Sequence, residues 1–481
     1  MRRRRTPIRK ATARARGRGH RPVSTPGRGE PQPSVRGADL RAEIEAKGIN
    51  LYECYTCRLC TEEMQRGILT LTEPYRKAYG ESEWRSDLFN EPVCPTWDYY
   101  RHEAYTAYGR AMLARDLADG LQVAPDDRRM QEVVYTCLLC SGCQELCFSR
   151  NRVPLMKEFM PLPREVWDLH GILLAERKWL FDRHGWEIVP EGLRTLAQRL
   201  LAGGTTTGDP KSQATRWVEA TGAEIVDLSR GGRADVLLLL DARAPYDRTL
   251  WPALGAAVRL IRAAGLTVGT LGEEEIATAM PVLAAGDVRG YLDLNRAAIE
   301  KITRMADGGR VGRAVTVDDT GYQAWTAPPK HYGPAHRPRF PFTHIVPFVA
   351  DLLREGRLAF ERPVDDEVVL LDGCHLGRYG KVLDPPREIL ARIPGLRVRE
   401  TNLRREYLYC CGAAAGAPEA FPEQATWWGR KRLRQAADVL TSGRMVVTTS
   451  LLCGAHLRRI AAGDGQLEVK DLTEIAAAAL G

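Results

Sequence analysis

The sequence has no uninterrupted apolar run of about 18 residues, the length that crosses a bilayer as a helix, and Leu237 to Leu240 is only strand-sized. It has no G-x-G-x-x-G at a strand–helix junction and no P-loop, so neither NAD nor ATP is expected to bind. No apolar stretch follows Arg2 to Arg5, which excludes a twin-arginine export signal. The tail from Met1 to Ala38 has no Phe, Trp or Tyr, so it offers no stacking platform for RNA, and no nucleic-acid partner is expected. What the tail does have is charge: twelve Arg or Lys against one acid, Glu30. It therefore carries more than the whole net charge of +8, and the remaining body is slightly acidic. Rich in Arg, Gly, Pro and Ser, the tail is expected to be disordered. It reads as a plain solvated tail, with adhesion to an anionic membrane surface as the functional alternative.

Cysteine is also sparse, with 12 in 481 residues. That is too few, and too clustered, for a secreted disulfide scaffold. The clustering points to metal and a reducing compartment, hence the cytoplasm or the inner face of its membrane. Cys137, Cys140, Cys143 and Cys147 form C-x2-C-x2-C-x3-C, the spacing of a [4Fe–4S] ferredoxin site. In two-cluster ferredoxins the fourth thiolate serves the other cube. A second copy is present: Cys54, Cys57 and Cys60, then a distant Cys94-Pro95. Crossed ligation assigns Cys54, Cys57, Cys60 and Cys147 to one cluster, and Cys137, Cys140, Cys143 and Cys94 to the other. The 33 residues between Cys60 and Cys94 are tolerable because the fourth cysteine reaches the other cube. Phe148 stands where proline is usual, which removes only a turn restraint. Zinc prefers paired C-x2-C knuckles and fits this pattern less well.

Along the chain, Asp39 to Glu53 has a helical pattern with Leu40, Ile44 and Leu51 apolar. Trp97 to Gly120 predicts another helix with Gly120 as its stop, and Asp126 to Tyr135 a shorter one delivering Cys137. Helix–loop–cysteine alternation predicts an α-helical ferredoxin domain over 39–160, after the tail at 1–38. The run Trp97, Tyr99 and Tyr100 is expected in core packing. Val153 to Gly203 is helical with proline breaks, and 161–232 is expected to be a helical linker. His170 and His184 within it are expected to be packing residues.

From about Arg233 the sequence repeats itself. Asp235 to Arg243 matches Asp366 to Cys374, Ala264 to Val268 matches Pro394 to Val398, and Ala314 to Asp318 matches Val446 to Ser450. Both halves close on an apolar helix, Ile345 to Leu353 and Leu472 to Leu480. This predicts a duplicated α/β domain with parallel strands, over 233–360 and 361–481. Only the second half has cysteines: Cys374, Cys410-Cys411-Gly412 and Cys453, each after a strand, where open α/β sheets bind ligands.

Cys374, 35 residues, Cys410-Cys411-Gly412, then Ser450-Leu451-Leu452-Cys453 resembles the CCG or cysteine-rich domain. That family includes the B- and D-type chains of heterodisulfide reductase and the iron–sulfur subunits of glycolate oxidase and anaerobic glycerol-3-phosphate dehydrogenase. A ferredoxin domain ahead of two CCG domains is similar to the D-type chain, as are Asp372 to Arg378 and Asp384 to Arg387. The resemblance implies an iron–sulfur cluster, cubane or non-cubane, on Cys374, Cys410, Cys411 and Cys453, at which disulfide chemistry occurs. Two departures limit it. Arg243, Ile276 to Pro281, Asp318 and Gly321 occupy the cysteine places of the first half, which makes that copy degenerate. Ser450 replaces one cysteine of the second. Zinc is the alternative for the four remaining thiolates. His456 is a candidate fifth ligand, against a supporting or surface role. Arg378 is expected either to bind an anionic substrate or to pair with Asp384 or Glu388.

Two functions follow. One is an iron–sulfur oxidoreductase subunit relaying electrons between a partner, flavoprotein dehydrogenase or b-type cytochrome, and the CCG site, where thiol–disulfide chemistry occurs. The other is a non-catalytic electron-transfer subunit of a flavin-dependent glycolate, lactate or glycerol-3-phosphate dehydrogenase, with a structural C-terminal site.

Overall fold

The computed structural model describes residues 35–49, 51, 91–147, 168–326 and 337–481. Cys54, Cys57, Cys60, Phe148 and residues 1–34 of the tail lie outside the described residues, while the last four residues of the tail begin a helix. A helical layer precedes two parallel sheets.

In the helical layer, Val35–Ala46 buries Leu40 and Ile44 and stops at Gly48, whose φ of 70° is left-handed. The helix expected from Trp97 to Gly120 is interrupted. Pro95–Tyr100 ends on Arg101 at φ 51°, a short 3₁₀ turn follows, and Ala107–Ala118 restarts behind the Thr106 side-chain cap. The break carries the chain around Tyr105, which stacks on Tyr100 with centroids 3.7 Å apart. Arg128–Tyr135 begins where Asp127 caps Arg129 N at 2.9 Å and Met130 N at 3.0 Å. Leu169–His184 and Glu191–Gly203 pack into the same core rather than hanging between domains.

The first sheet contains β1 (Val226–Asp227), β2 (Ala234–Leu239), β3 (Val268–Thr270), β4 (Val311–Thr316) and β5 (Phe342–His344), in the order β1-β3-β2-β4-β5. The second contains β6 (Glu367–Leu371), β7 (Arg397–Glu400), β8 (Met445–Thr448) and β9 (Glu468–Asp471), in the order β7-β6-β8-β9. Apart from the two-residue β1, the two orders correspond strand for strand. All pairings are parallel, with Leu237 opposite Ala314 and Val369 opposite Val446.

Alternation along each strand explains how the layers share cores. Val236 and Leu238 of β2 face one common core with Val368 and Leu370 of β6. Leu237 and Leu239 face the helical layer, and Val369 and Leu371 face the helices Pro422–Ala437 and Leu451–Asp464. A further, smaller core joins Val93, Leu138 and Leu146 of the helical layer to Leu403, Tyr409 and Trp428 of the second half. The cysteines sit in and around it.

Candidate metal centre

Two sets of cysteines meet across this junction. Cys94, Cys137, Cys140 and Cys143 line one small cavity, with Arg110 and His170 in its wall. Each of the four is half-buried because it opens on that cavity. Cys147 is buried beside Cys143 but does not line it. Cys94 precedes helix Pro95–Tyr100, and its Sγ lies 3.3 Å from Thr96 Oγ1. Leu139 and Ser141 both have positive φ, 49° and 62°, so the chain turns sharply on either side of Cys140. Non-glycine residues rarely adopt that conformation, which concentrates where function over-determines the backbone.

Buried arginines hold this cavity. Arg110 donates to Val133 O at 2.6 Å, Tyr105 O at 2.6 Å and Thr136 Oγ1 at 3.1 Å. Arg177 donates to Cys137 O at 2.6 Å and Ala284 O at 2.8 Å. Burial pushes the Cys94 and Cys143 thiols up, so in the protein alone they are neutral. A cation binding there as a thiolate complex would replace those protons, and the flanking guanidinium groups suit the negative charge that results. Four soft thiols around one cavity have the donor chemistry of an iron–sulfur cluster, whereas among the described residues no three or more His, Cys, Asp or Glu side chains are placed to hold a single metal ion.

In the second half, Cys374 follows β6, Cys410 and Cys411 end the loop from β7, and Cys453 is in the first turn after β8. All four line a second small cavity, with Asp372 and Arg432 in its wall. Cys374 Sγ is 3.8 Å from Cys410 Sγ, and Cys411 Sγ is 3.0 Å from Cys453 Sγ. The neighbouring thiols hold Cys410 well below the usual thiol range. Cys140, a ferredoxin-spaced residue, packs against the same small core as Cys374 and Cys410. Gly412, at φ 90°, permits the close turn: a Cβ there would lie 2.9 Å from Ala425 O. This donor set also fits a metal cluster.

His456 is buried and donates Nε2–H to Ala425 O at 3.0 Å, so that nitrogen is occupied. Ser450, in the place of a cysteine, accepts from Cys453 N at 3.3 Å. Burial raises Asp319 to about 7. Arg378 pairs with neither of the acids expected from sequence. Asp384 binds Arg405 and Glu388 binds Arg354. Arg378, 2 % exposed, instead donates to Cys140 O at 2.9 Å, Glu406 O at 2.7 Å and Leu408 O. The neighbouring Tyr379 donates to Leu139 O at 2.5 Å. An arginine four residues beyond Cys374 shows its charge in the sequence, but not that its targets are carbonyls from two distant segments.

Beside the second set lies a mostly apolar cavity of about 90 Å³ between the two α/β halves. Leu240, Arg243 and Met280 line it from the first half, and His375, Ala413 and Leu451 from the second. Burial lowers His375 to about 4, so its ring is neutral. Among the described residues no helix is long and apolar enough to cross a membrane.

Residues 368–458 match the family model of the CCG cysteine-rich domain. The D chain of the dihydromethanophenazine:CoB–CoM heterodisulfide reductase of Methanosarcina barkeri is 28% identical over 404 residues, which cover 80% of this chain and 86% of that one. The probable iron–sulfur-binding oxidoreductase FadF of Bacillus subtilis is 26% identical over 72% of this chain and 46% of its own. The EtfAB:quinone oxidoreductase of Syntrophomonas wolfei is 25% identical over 72% of this chain and 45% of its own. The chain thus spans less than half the length of the latter two. It carries a CCG cysteine-rich domain and is homologous, at moderate identity, to the D-type chain of heterodisulfide reductase and to other iron–sulfur oxidoreductases.

Proposed function

We propose that this chain is the electron-relay subunit of an oxidoreductase complex, with two [4Fe–4S] clusters and a third metal centre in its CCG domain. Cys94, Cys137, Cys140 and Cys143 hold one cubane, and Cys54, Cys57, Cys60 and Cys147 the other. Cys374, Cys410, Cys411 and Cys453 hold the third centre. Iron–sulfur clusters supply one-electron storage and passage. The observation that carries this reading is the packing of Cys140 against the small core that holds Cys374 and Cys410, with Arg378 donating to the Cys140 carbonyl at 2.9 Å.

The residues around the sets serve the same end. Arg110, Arg177 and Arg378 fix the backbone of the first cysteine loop and offset thiolate charge. The cavity between the halves gives a disulfide, or its thiol products, a place next to the residues that follow Cys374 and Cys411. The two matching strand orders support a duplicated CCG fold whose first copy is degenerate and forms a wall of that cavity. The partner is a flavoprotein or a membrane cytochrome on the cytoplasmic face. The name of the Syntrophomonas relative, an EtfAB:quinone oxidoreductase, supports that choice.

A second reading rests on the absence of cysteine from the first half and the serine at 450. In it the C-terminal set holds zinc, and the chain only passes electrons for a dehydrogenase. Anaerobic purification with iron, sulfide and zinc counted separates the two. About twelve irons per chain support the relay with a third cluster, and about eight irons with one zinc support the second reading. A thiol-dependent EPR signal in the oxidised protein assigns disulfide chemistry to the third centre.

A further inference from the structure

We propose that Arg432 tunes the metal centre of the CCG domain, giving it a hydrogen bond from Nη2 and the counter-charge that sets its affinity and its reduction potential. The inference rests on the reading that Cys374, Cys410, Cys411 and Cys453 hold an iron–sulfur cluster. It goes beyond that reading by naming the side chain, outside the thiols, on which the cluster depends. Three observations carry it. The first is place. Arg432 lines the same small cavity as the four cysteines. It is 1 % exposed, so solvent does not hydrate its guanidinium.

The second is an unmade bond. Nη1 donates to Leu403 O at 3.0 Å, Thr401 Oγ1 at 3.1 Å and Gln435 Oε1 at 3.1 Å. Nη2 is buried and has no partner. A buried N–H without an acceptor costs free energy until something fills the place. The arginine is held firmly on helix Pro422–Ala437. One turn earlier on that helix, Trp428 donates Nε1–H to Pro95 O at 2.8 Å and ties it to the residue after Cys94.

The third observation is charge. A guanidinium stays ionised in proteins, and buried charges are as a rule paired. The carboxylate in the cavity wall, Asp372, is taken by Arg387 at 3.0 and 2.9 Å and by Arg405 N–H at 2.8 Å. The counter-charge left for Arg432 is the occupant of the cavity. Four thiolates on an iron–sulfur core carry net negative charge, and the potential of such a centre follows its net charge and the hydrogen bonds to its sulfurs. A fixed positive charge beside it favours the reduced form, which holds one more electron.

The test compares wild type, Arg432→Gln, Arg432→Lys and Cys411→Ser, each full-length, anaerobically purified and reconstituted with iron and sulfide. Iron is counted, the midpoint potential of each cluster is read by EPR during a redox titration, and iron release to a chelator is timed. Arg432→Gln is expected to lower the potential of the C-terminal centre and leave the ferredoxin-type clusters at theirs. Iron release from that centre is expected to be at least about tenfold faster, since partners outside the ligand shell change metal affinity by about 10–100-fold. Arg432→Lys is expected to restore the potential, because it keeps the charge while losing the Nη1 contacts. An unchanged potential in Arg432→Gln overturns the proposal, and so does a drop that Arg432→Lys shares in full, which marks a structural arginine. Equal iron in wild type and Cys411→Ser overturns the underlying reading instead, and the proposal with it. A measurement on wild type guards against variants that fail to fold. With arginine labelled in ¹⁵N, pulsed EPR of the signal that Cys411→Ser removes is expected to show coupling to a guanidinium nitrogen. Its absence overturns the proposal.

Discussion

Tyr409 donates its hydroxyl to Asp98 at 3.0 Å, joining the residue before Cys410 to the helix after Cys94. Asp98 is buried and also takes Arg101 at 2.7 Å and Lys431. This small network ties the helix after Cys94 to the segment that carries Cys410. Replacing Tyr409 by Phe removes one charged-acceptor bond and is expected to cost about 1.5–3 kcal/mol. Asp98→Ala leaves Lys431 uncompensated and is expected to cost about 3–5 kcal/mol. Urea midpoints of the two variants check the order. A smaller loss for Asp98→Ala than for Tyr409→Phe would contradict it.

Asp372 gives a pH dependence at the acid end. Burial alone would raise its carboxyl. The two-point contact with Arg387, at 3.0 and 2.9 Å, and the Arg405 N–H hold it below the usual carboxylate range instead. A carboxylate with a depressed folded pKa stabilises fully above its unfolded value, near pH 3.9, and loses that contribution as pH falls through the folded value. Stability of the wild type should therefore drop more steeply below about pH 4 than that of Asp372→Asn. At neutral pH the variant should be about 3 kcal/mol less stable.

Glu176 has the opposite sign. It is buried, both carboxyl oxygens lack a hydrogen-bond partner among the described residues, and burial raises it to about 8. The unfolded chain releases this proton near pH 4.3 while the folded chain keeps it, so stability falls as pH rises between those values, by up to about 1.4 kcal/mol per unit. Glu176→Gln removes that slope. Denaturation at pH 5 and pH 8 should show the variant gaining on wild type at the higher pH, and equal slopes would contradict the assignment.

Gly412→Ala tests the tight turn after the paired cysteines. It combines φ 90° with a Cβ at 2.9 Å from Ala425 O and 3.2 Å from Trp428, in a region with little room to shift. A loss of at least about 2 kcal/mol is expected from strain and overpacking together. Metal retained at the C-terminal set should fall with it, measured as metal per chain after gel filtration.

Periodicity and spacing make the elements of the α/β part legible. Val236 and Leu238 alternate with Leu237 and Leu239 because the first sheet is covered on both faces, so its strands read as near-continuous apolar runs. The cysteine spacings point to metal on their own. The helix expected from Trp97 to Gly120 breaks at Arg101, and arginine carries no signal for left-handed backbone. The partners of Arg378 are not legible either. Backbone carbonyls are present at every residue, so nothing in a sequence marks which will accept a guanidinium from 238 residues away. The packing of Cys140 against the core of Cys374 and Cys410 is of the same kind: two motifs, each readable alone, whose meeting is decided by packing.

That separation along the chain also has a temporal consequence. Val93, Leu138 and Leu146 complete their core only against Leu403, Tyr409 and Trp428. On the ribosome, the early cysteine loop is made long before the segments that enclose it. Its thiols stay open to solvent and oxidants through most of synthesis, and cofactor loading that depends on the finished pocket is a late step of maturation.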